Sequence, residues 1–100
     1  MPKEINYSLL PEHIRGGAKR YIENGVPPGD FLQAVFEDKL VTSFALADET
    51  NIERMFDIAK FLYNEAPMDC RGSRENMEAW IEHEGLSRIE KEEVVGNVPE

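Results

Sequence analysis

The sequence predicts an all-α protein, a small compact bundle of helices joined by short connections. Apolar residues recur at the three- and four-residue spacing of amphipathic helices, and no segment shows the alternation typical of a strand. Proline and glycine separate the periodic segments, as in the Gly-Val-Pro-Pro-Gly sequence over 25–29. With 100 residues the chain is expected to be one helical domain over 1–100. Because so small a domain buries a modest share of its surface, we also expect it to form oligomers.

The first half of the chain contains two predicted helical regions. The first helix spans about 11–24, with Pro11 in its first turn and Gly25 as its C-terminal cap. A second region over about 30–46 begins at Asp30 and is either one bent helix or two short ones.

The second half contains two more predicted helices. Asp48 is the N-cap of the third helix, which Pro67 ends near residue 65. Ser73 is the N-cap of the fourth, and Trp80 lies on its buried side. The residues from about 87 to 100 form a charged segment that is expected to fray.

Composition and charge exclude several classes of protein. The longest apolar runs fall far short of the roughly 20 residues of a membrane helix, and the first residues do not resemble a signal peptide. Cys70 is the single cysteine, so no internal disulfide is possible and a reducing cytoplasm is the expected compartment. The net charge of −9 argues against binding of long nucleic acids, which depends on many phosphate contacts.

The chain shows no pattern typical of a catalytic or metal site. His13 and His83 are far apart in sequence, and Cys70 stands alone, so no zinc-ligand spacing is present. No serine lies in a nucleophile elbow, and the glycines match no phosphate-binding fingerprint. We therefore expect a protein that is not an enzyme and that needs neither metal nor cofactor.

Positive charge is concentrated on the first helix of this acidic chain. Arg15 and Lys19 are four residues apart and share one helical face, and Arg20 follows at an angle to them. This patch is either a solvated face or a site for a small anion. Gly16 and Gly17 each disfavour a helix by about 1 kcal/mol relative to alanine, which indicates close approach of another helix or of a ligand.

Two further features would suit an anionic, base-containing ligand. Arg71 and Arg74 flank a turn at a helix start, and Asp30 lies at the start of another helix, although both places are also explained by capping. Tyr7 or Tyr21 would offer a ring for stacking on a base, and either is also explained as part of the core.

Several strings along the chain resemble one family of small bacteriophage proteins. These strings are LPEHIRGGAKRYIENGVPPGDFLQAVFEDKL, SFALADETN and FLYNEAPMDCRGS, followed by a helix with Trp80, and they cover about residues 7–83. They are similar to the anti-CBASS sponges, which sequester the cyclic oligonucleotide signals of bacterial immunity. The resemblance implies a compact helical homohexamer in the cytoplasm of an infected bacterium, where it lowers the free signal by binding it.

The resemblance also implies two kinds of binding pocket. Cyclic dinucleotides would bind between protomers, with Tyr7 on a base and Lys19 or Arg20 on a phosphate. Cyclic trinucleotides would bind near a threefold axis, at a pocket with an arginine and a residue from the start of the second helix. The best matches there are Pro28 or Asp30 with Arg71 or Arg74. The candidate ligand-binding residues are therefore Tyr7, Arg15, Lys19, Arg20, Pro28, Asp30, Arg71 and Arg74.

Two other functions are alternatives to sequestration. The acidic surface would suit a protein-interaction module or an inhibitor of a host protein, in which Glu75, Glu78 and Glu82 would matter and the basic patch would not. Hydrolysis of a cyclic nucleotide would require a metal or an acid–base cluster that the sequence does not display.

Overall fold

Helices alone make up the regular structure of the part of the chain that the computed structural model describes, residues 5–86. The α-helices are α1 (Glu12–Asn24), α2 (Asp30–Phe36), α3 (Leu40–Leu46), α4 (Glu49–Glu53), α5 (Met55–Asn64) and α6 (Arg74–Glu82). Two short 3₁₀ helices cover Tyr7–Leu9 and Met68–Cys70. The predicted all-α fold is confirmed, whereas the segment predicted to fray, about 87–100, lies outside the described residues. No helix within 5–86 is long and apolar enough to cross a membrane.

Helix α1 ends where the sequence predicts, and α6 packs against its end. Gly25 adopts a left-handed conformation with φ +72°, and its N–H donates to the Tyr21 carbonyl over 2.8 Å. Gly85, with φ +63°, approaches so closely that a Cβ there would lie 2.6 Å from the Ile22 carbonyl oxygen. Trp80 from α6 donates its Nε1–H to both carbonyls, over 3.2 Å to Tyr21 and 3.1 Å to Ile22. These contacts fix α6 along the C-terminal half of α1.

The two middle regions each divide into two helices. Of the two alternatives for residues 30–46, one bent helix or two short ones, the structure shows two short helices, α2 and α3. Asp38, just after α2, adopts the left-handed backbone conformation with φ +65°. The prediction of one continuous third helix is wrong, since α4 and α5 are separated at Arg54. There the guanidinium donates to the Leu9 carbonyl over 2.8 Å and to the Asp57 carboxylate over 2.7 Å. The break therefore coincides with a contact between Arg54 and the N-terminal 3₁₀ helix, and no proline or glycine lies near it in the sequence.

The core lies where α1, α2, α5 and α6 meet. Tyr21 is fully buried, its ring lies 4.5 Å from that of Phe36, and its hydroxyl donates to the Cys70 carbonyl over 2.6 Å. Base stacking by Tyr21, one of the two options from the sequence, is therefore wrong. Cys70 is also enclosed, and burial raises the pKa of its thiol to about 12.

Candidate functional site

Of the three cationic side chains on α1, Arg15 bonds to the backbone, whereas Lys19 and Arg20 point to solvent. Arg15 donates from Nε to the Leu10 carbonyl over 2.8 Å and from a terminal nitrogen to the Ser8 carbonyl over 3.3 Å. Its guanidinium thus holds the N-terminal 3₁₀ helix against α1. Lys19 and Arg20 are exposed, and neither forms an ion pair with another residue of 5–86. Among the described residues 5–86, these two side chains are the cations of α1 with no acidic partner, so they are candidates to bind an anion.

Arg20 lines a cleft formed by α1, the start of α2, the end of α3 and the start of α4, which we call the Arg20 cleft. Its volume is about 340 Å³, within the roughly 300–1,000 Å³ of small-molecule sites. The apolar part of its lining includes Ile14, Phe31 and Leu32. The polar part comes from His13, Arg20, Asp30, Asp48 and Asn51.

The two glycines of α1 have different roles beside this cleft. A Cβ at Gly16 would lie 3.1 Å from a terminal nitrogen of Arg20, so the missing side chain leaves room for the guanidinium to lie along the helix. A Cβ at Gly17 would lie 3.4 Å from the Leu32 side chain of α2, which is ordinary contact. Packing of α2 against α1 therefore does not require a glycine at position 17, whereas Gly16 marks the place of the Arg20 guanidinium.

The polar groups at the α4 end of the Arg20 cleft form a connected set. His13 Nε2 and Asp48 Oδ2 are 2.9 Å apart, and Asp48 Oδ1 accepts the Asn51 backbone N–H over 2.7 Å as the N-cap of α4. The Asn51 N–H first, and then the His13 side chain, lower the pKa of Asp48. The side-chain Oδ1 of Asn51 is buried and accepts no hydrogen bond from residues 5–86. A buried acceptor left unpaired costs about 1–3 kcal/mol, so this atom is in an unfavourable state.

A second cleft, the Arg74 cleft, adjoins the first because Asp30 and Leu46 line both. Its volume is about 240 Å³, and Arg74 is the one arginine of residues 5–86 that lines it. Arg74 Nε lies 3.3 Å from Glu78 Oε1, and both side chains are about two-thirds exposed. Such an exposed pair stabilises little, so the guanidinium is available to a stronger anion.

The structure brings together one of the predicted pairs for a trinucleotide pocket. Asp30 and Arg74 both line the Arg74 cleft. Arg71 instead donates from Nε to the Leu62 carbonyl over 3.0 Å, which ties the turn before α6 to α5. Pro28 is buried, and its carbonyl accepts the Gln33 side-chain amide over 2.9 Å. Neither Arg71 nor Pro28 lines this cleft.

Tyr7 lies apart from the Arg20 cleft within one chain. Its ring packs against Phe61 with centroids 5.6 Å apart, and its hydroxyl donates to Glu23 Oε2 over 3.0 Å. Burial first, and then the Glu23 carboxylate, raise the pKa of Tyr7, so the phenol stays neutral. The predicted combination of Tyr7 with Arg20 in one pocket therefore requires two chains, as the resemblance implies.

An apolar groove runs between α3 and α5. Its volume is about 390 Å³, and Leu40, Phe44, Phe56 and Leu62 are among its lining residues. Phe56 is 74% exposed, and Tyr63 on the same helix is 81% exposed. Exposed apolar groups of this size in a row commonly mark a protein interface.

The sequence did not assign His13, Asp48 or Asn51 to any site. The sequence predicted Asp48 as an N-cap. In the structure its side chain accepts the backbone N–H of Asn51, three residues later. The burial of the Asn51 side chain has no signal in the sequence around it. No group of three or more His, Cys, Asp or Glu residues within 5–86 is arranged to hold a metal ion.

Comparison with family models, with curated proteins and with solved structures found no match to this chain.

Proposed function

We propose that this protein is a non-catalytic binder of cyclic di- and trinucleotide immune signals, which it sequesters to antagonise CBASS defence in the cytoplasm of an infected bacterium. The observation that carries the proposal is a pair of adjoining clefts that share Asp30 and contain Arg20 and Arg74. Arg20 has no ion-pair partner within 5–86, and Arg74 has only an exposed one. The resemblance described from the sequence supplies the class of ligand.

Arg20 would bind the phosphate. A guanidinium offers planar paired donors that match a phosphate, and hydrogen bonds between charged groups are stronger than neutral ones. The space left by Gly16 keeps the guanidinium beside the cleft. The apolar side chains of Ile14 and Phe31 in the same cleft would contact the face of a base or sugar.

The acidity of the chain would select for compact ligands. With a net charge of −9, the surface repels a long polyanion, whose binding depends on many phosphate contacts. A cyclic dinucleotide carries two phosphates, so one or two local cations meet its charge. Symmetric association would bring further copies of Lys19 and Arg20 near one ligand.

Self-association is part of the proposal. The groove between α3 and α5 exposes large apolar side chains, among them Phe56, that a second copy would cover. We propose a homo-oligomer, with the hexamer implied by the resemblance as its form. In it Tyr7 of one chain would meet Lys19 or Arg20 of another across a bound dinucleotide.

Sequestration works by mass action. Each bound signal molecule lowers the free concentration available to the bacterial receptor, and no bond in the ligand is broken. The protein must therefore be produced in amounts comparable with the signal.

Calorimetric titration of a cyclic dinucleotide into matched variants tests the phosphate contact. Arg20→Ala removes a charge-assisted contact of about 1.5–3 kcal/mol, so we expect affinity to fall roughly 10- to 100-fold. Lys19→Ala and Tyr7→Ala should weaken binding as well if these residues contribute across the interface. Asn24→Ala is the control, because Asn24 is exposed at the end of α1 and lines neither cleft. Unchanged affinity in all of the first three variants would refute this placement.

A protein-interaction module is the second candidate, favoured by the same apolar groove and by the acidic net charge of the chain. In that case Phe56 and Tyr63 would contact a host protein, and Glu75, Glu78 and Glu82 on the exposed side of α6 would steer it. Substituting the three glutamates would then abolish function, while Arg20→Ala would leave it unchanged.

A further inference from the structure

The Arg20 cleft contains an unused hydrogen-bond donor, the side-chain nitrogen of Asn51. The residue is 3% exposed and lines the cleft, yet its Nδ2 forms no hydrogen bond with any residue of 5–86. Because Oδ1 of the same amide is enclosed by the protein, Nδ2 is the side-chain atom of Asn51 that a ligand can reach. Buried polar side chains are normally paired, so this donor indicates a ligand with an acceptor atom.

A carboxylate lies beside this donor at the start of α4. Asp48 Oδ1 is 2.7 Å from the backbone nitrogen of Asn51, and both side chains line the cleft. Asp48 Oδ2 is 2.9 Å from His13 Nε2. Each carboxylate oxygen has two lone pairs, so Asp48 can accept a further hydrogen bond from a ligand. The α4 end of the cleft therefore offers a neighbouring donor and acceptor.

A sugar hydroxyl suits this end of the cleft better than a phosphate does. A phosphate has negative charge and only acceptor oxygens, and the carboxylates of Asp30 and Asp48 in the same lining oppose it. A hydroxyl group accepts through its oxygen and donates its hydrogen, so it satisfies an amide N–H and a carboxylate together. An acidic side chain on a ribose 2′-hydroxyl is a recurrent contact in dinucleotide-binding folds.

We infer that the Arg20 cleft recognises the ribose of a cyclic ribonucleotide, with Asn51 Nδ2 donating to the 2′-hydroxyl oxygen and Asp48 accepting the hydroxyl hydrogen. The inference rests on the proposed function and adds selection of ribose over deoxyribose, for which the sequence assigned no residue. In a 3′-linked ribonucleotide the 2′-hydroxyl lies on the carbon next to the one that carries the phosphate. One nucleotide therefore supplies both the phosphate for Arg20 and the hydroxyl for Asn51 and Asp48. The 2′-hydroxyl is the group by which a protein distinguishes RNA from DNA.

Ligand pairs that differ only at the 2′ position test the inference on the unmodified protein. Calorimetric titrations compare cyclic di-AMP with its 2′-deoxy analogue, and cyclic di-GMP with its 2′-deoxy analogue. We expect a ribonucleotide that binds to do so about tenfold more tightly than its deoxy counterpart, the usual effect of a hydrogen bond to a charged group.

Substitutions at Asn51 and Asp48 assign the selectivity to these side chains. Asn51→Leu has nearly the same shape, removes Nδ2 and keeps the backbone N–H that Asp48 caps, so the ratio of ribose to deoxyribose affinity should shrink towards one. Asp48→Asn preserves a good N-cap, removes the carboxylate and should lower the ratio as well. A merely structural effect would weaken both members of a pair equally and leave the ratio unchanged, which would overturn these roles. Asn24→Ala, at the exposed end of α1, is the matched control and should keep the tenfold ratio.

The outcomes separate this inference from the proposed function. Equal affinity for both members of a pair that binds overturns recognition of the 2′-hydroxyl while sequestration stands. Absence of binding to all four dinucleotides overturns the inference, and absence of binding to cyclic trinucleotides as well overturns the proposed function.

Discussion

Replacing Gly16 with alanine should stabilise the fold and weaken ligand binding at once. Gly16 lies in the interior of α1 and is exposed, so alanine gains about 0.5–1 kcal/mol of helix propensity. The new Cβ would lie 3.1 Å from a terminal nitrogen of Arg20, which must move by a few tenths of an ångström. Because that nitrogen ends a long flexible side chain, its movement should cost the fold little. The displaced guanidinium should lose part of a charge-assisted hydrogen bond, about 0.5–1 kcal/mol or two- to fivefold in affinity.

Two assays on the same Gly16→Ala protein measure these opposite effects. Thermal unfolding followed by circular dichroism should show a midpoint about 2–8 °C higher than that of the unmodified protein. Calorimetric titration of the best-bound cyclic dinucleotide should show the two- to fivefold loss. In the Arg20→Ala background the same Gly16→Ala change should raise the midpoint and leave affinity unaltered. A lower midpoint, or an undiminished affinity with Arg20 present, would refute the role assigned to Gly16.

Other substitutions and conditions test the core, the cap and the groove. Tyr21→Phe removes the 2.6 Å bond to the Cys70 carbonyl and should reduce the free energy of unfolding by about 1–3 kcal/mol in urea titration; no change would contradict its structural role. Burial raises the pKa of the Cys70 thiol to about 12, so it should resist a thiol reagent until the protein unfolds. The free energy of unfolding should fall as the pH rises above 9.0, the ordinary pKa of a cysteine, because the thiol then ionises more readily in the unfolded chain. The Cys70→Ala variant should show a smaller fall over the same pH range. The pKa of Asp48 is lowered in the folded protein, so its carboxylate stabilises the fold at pH values above 3.8, the ordinary pKa of the group. This contribution should be lost as the pH falls below 3.8, and the Asp48→Ala variant should lack it. Phe56→Glu should shift the protein to smaller species in sedimentation, and an unaltered sedimentation coefficient would place the subunit interface elsewhere.

Local chemistry in the sequence predicted most helix boundaries. Asp48 and Ser73 accept the N–H groups of Asn51 and Asn76 as N-caps, and Gly25 ends α1 in the left-handed conformation. Each signal lies within three or four residues of the boundary that it sets, which is why the sequence alone is sufficient.

Contacts between distant residues decide what the sequence could not. Arg54 separates α4 from α5 while its guanidinium bonds to the Leu9 carbonyl, 45 residues away. The charge of Arg15 made it a candidate ligand contact in the sequence, but in the structure its guanidinium donates to the backbone carbonyls of Leu10 and Ser8. Arg20 and Lys19 carry the same charge and remain available, a difference that depends on where the N-terminal 3₁₀ helix lies.

The candidate site, too, could be predicted only in part from the sequence. Charge and helix position are readable from the sequence, and they placed Arg20, Asp30 and Arg74 among the candidates that line the clefts. The burial of Asn51 is a property of the packed structure, and the sequence around it did not indicate it.

The most direct test of sequestration is to titrate purified protein with a panel of cyclic di- and trinucleotides, then denature the complex and identify what is released. We expect at least one member to bind with sub-micromolar affinity and to be recovered intact. Recovery of a cleaved product would show a hydrolase, and absence of binding across the panel would leave an acidic helical interaction protein instead.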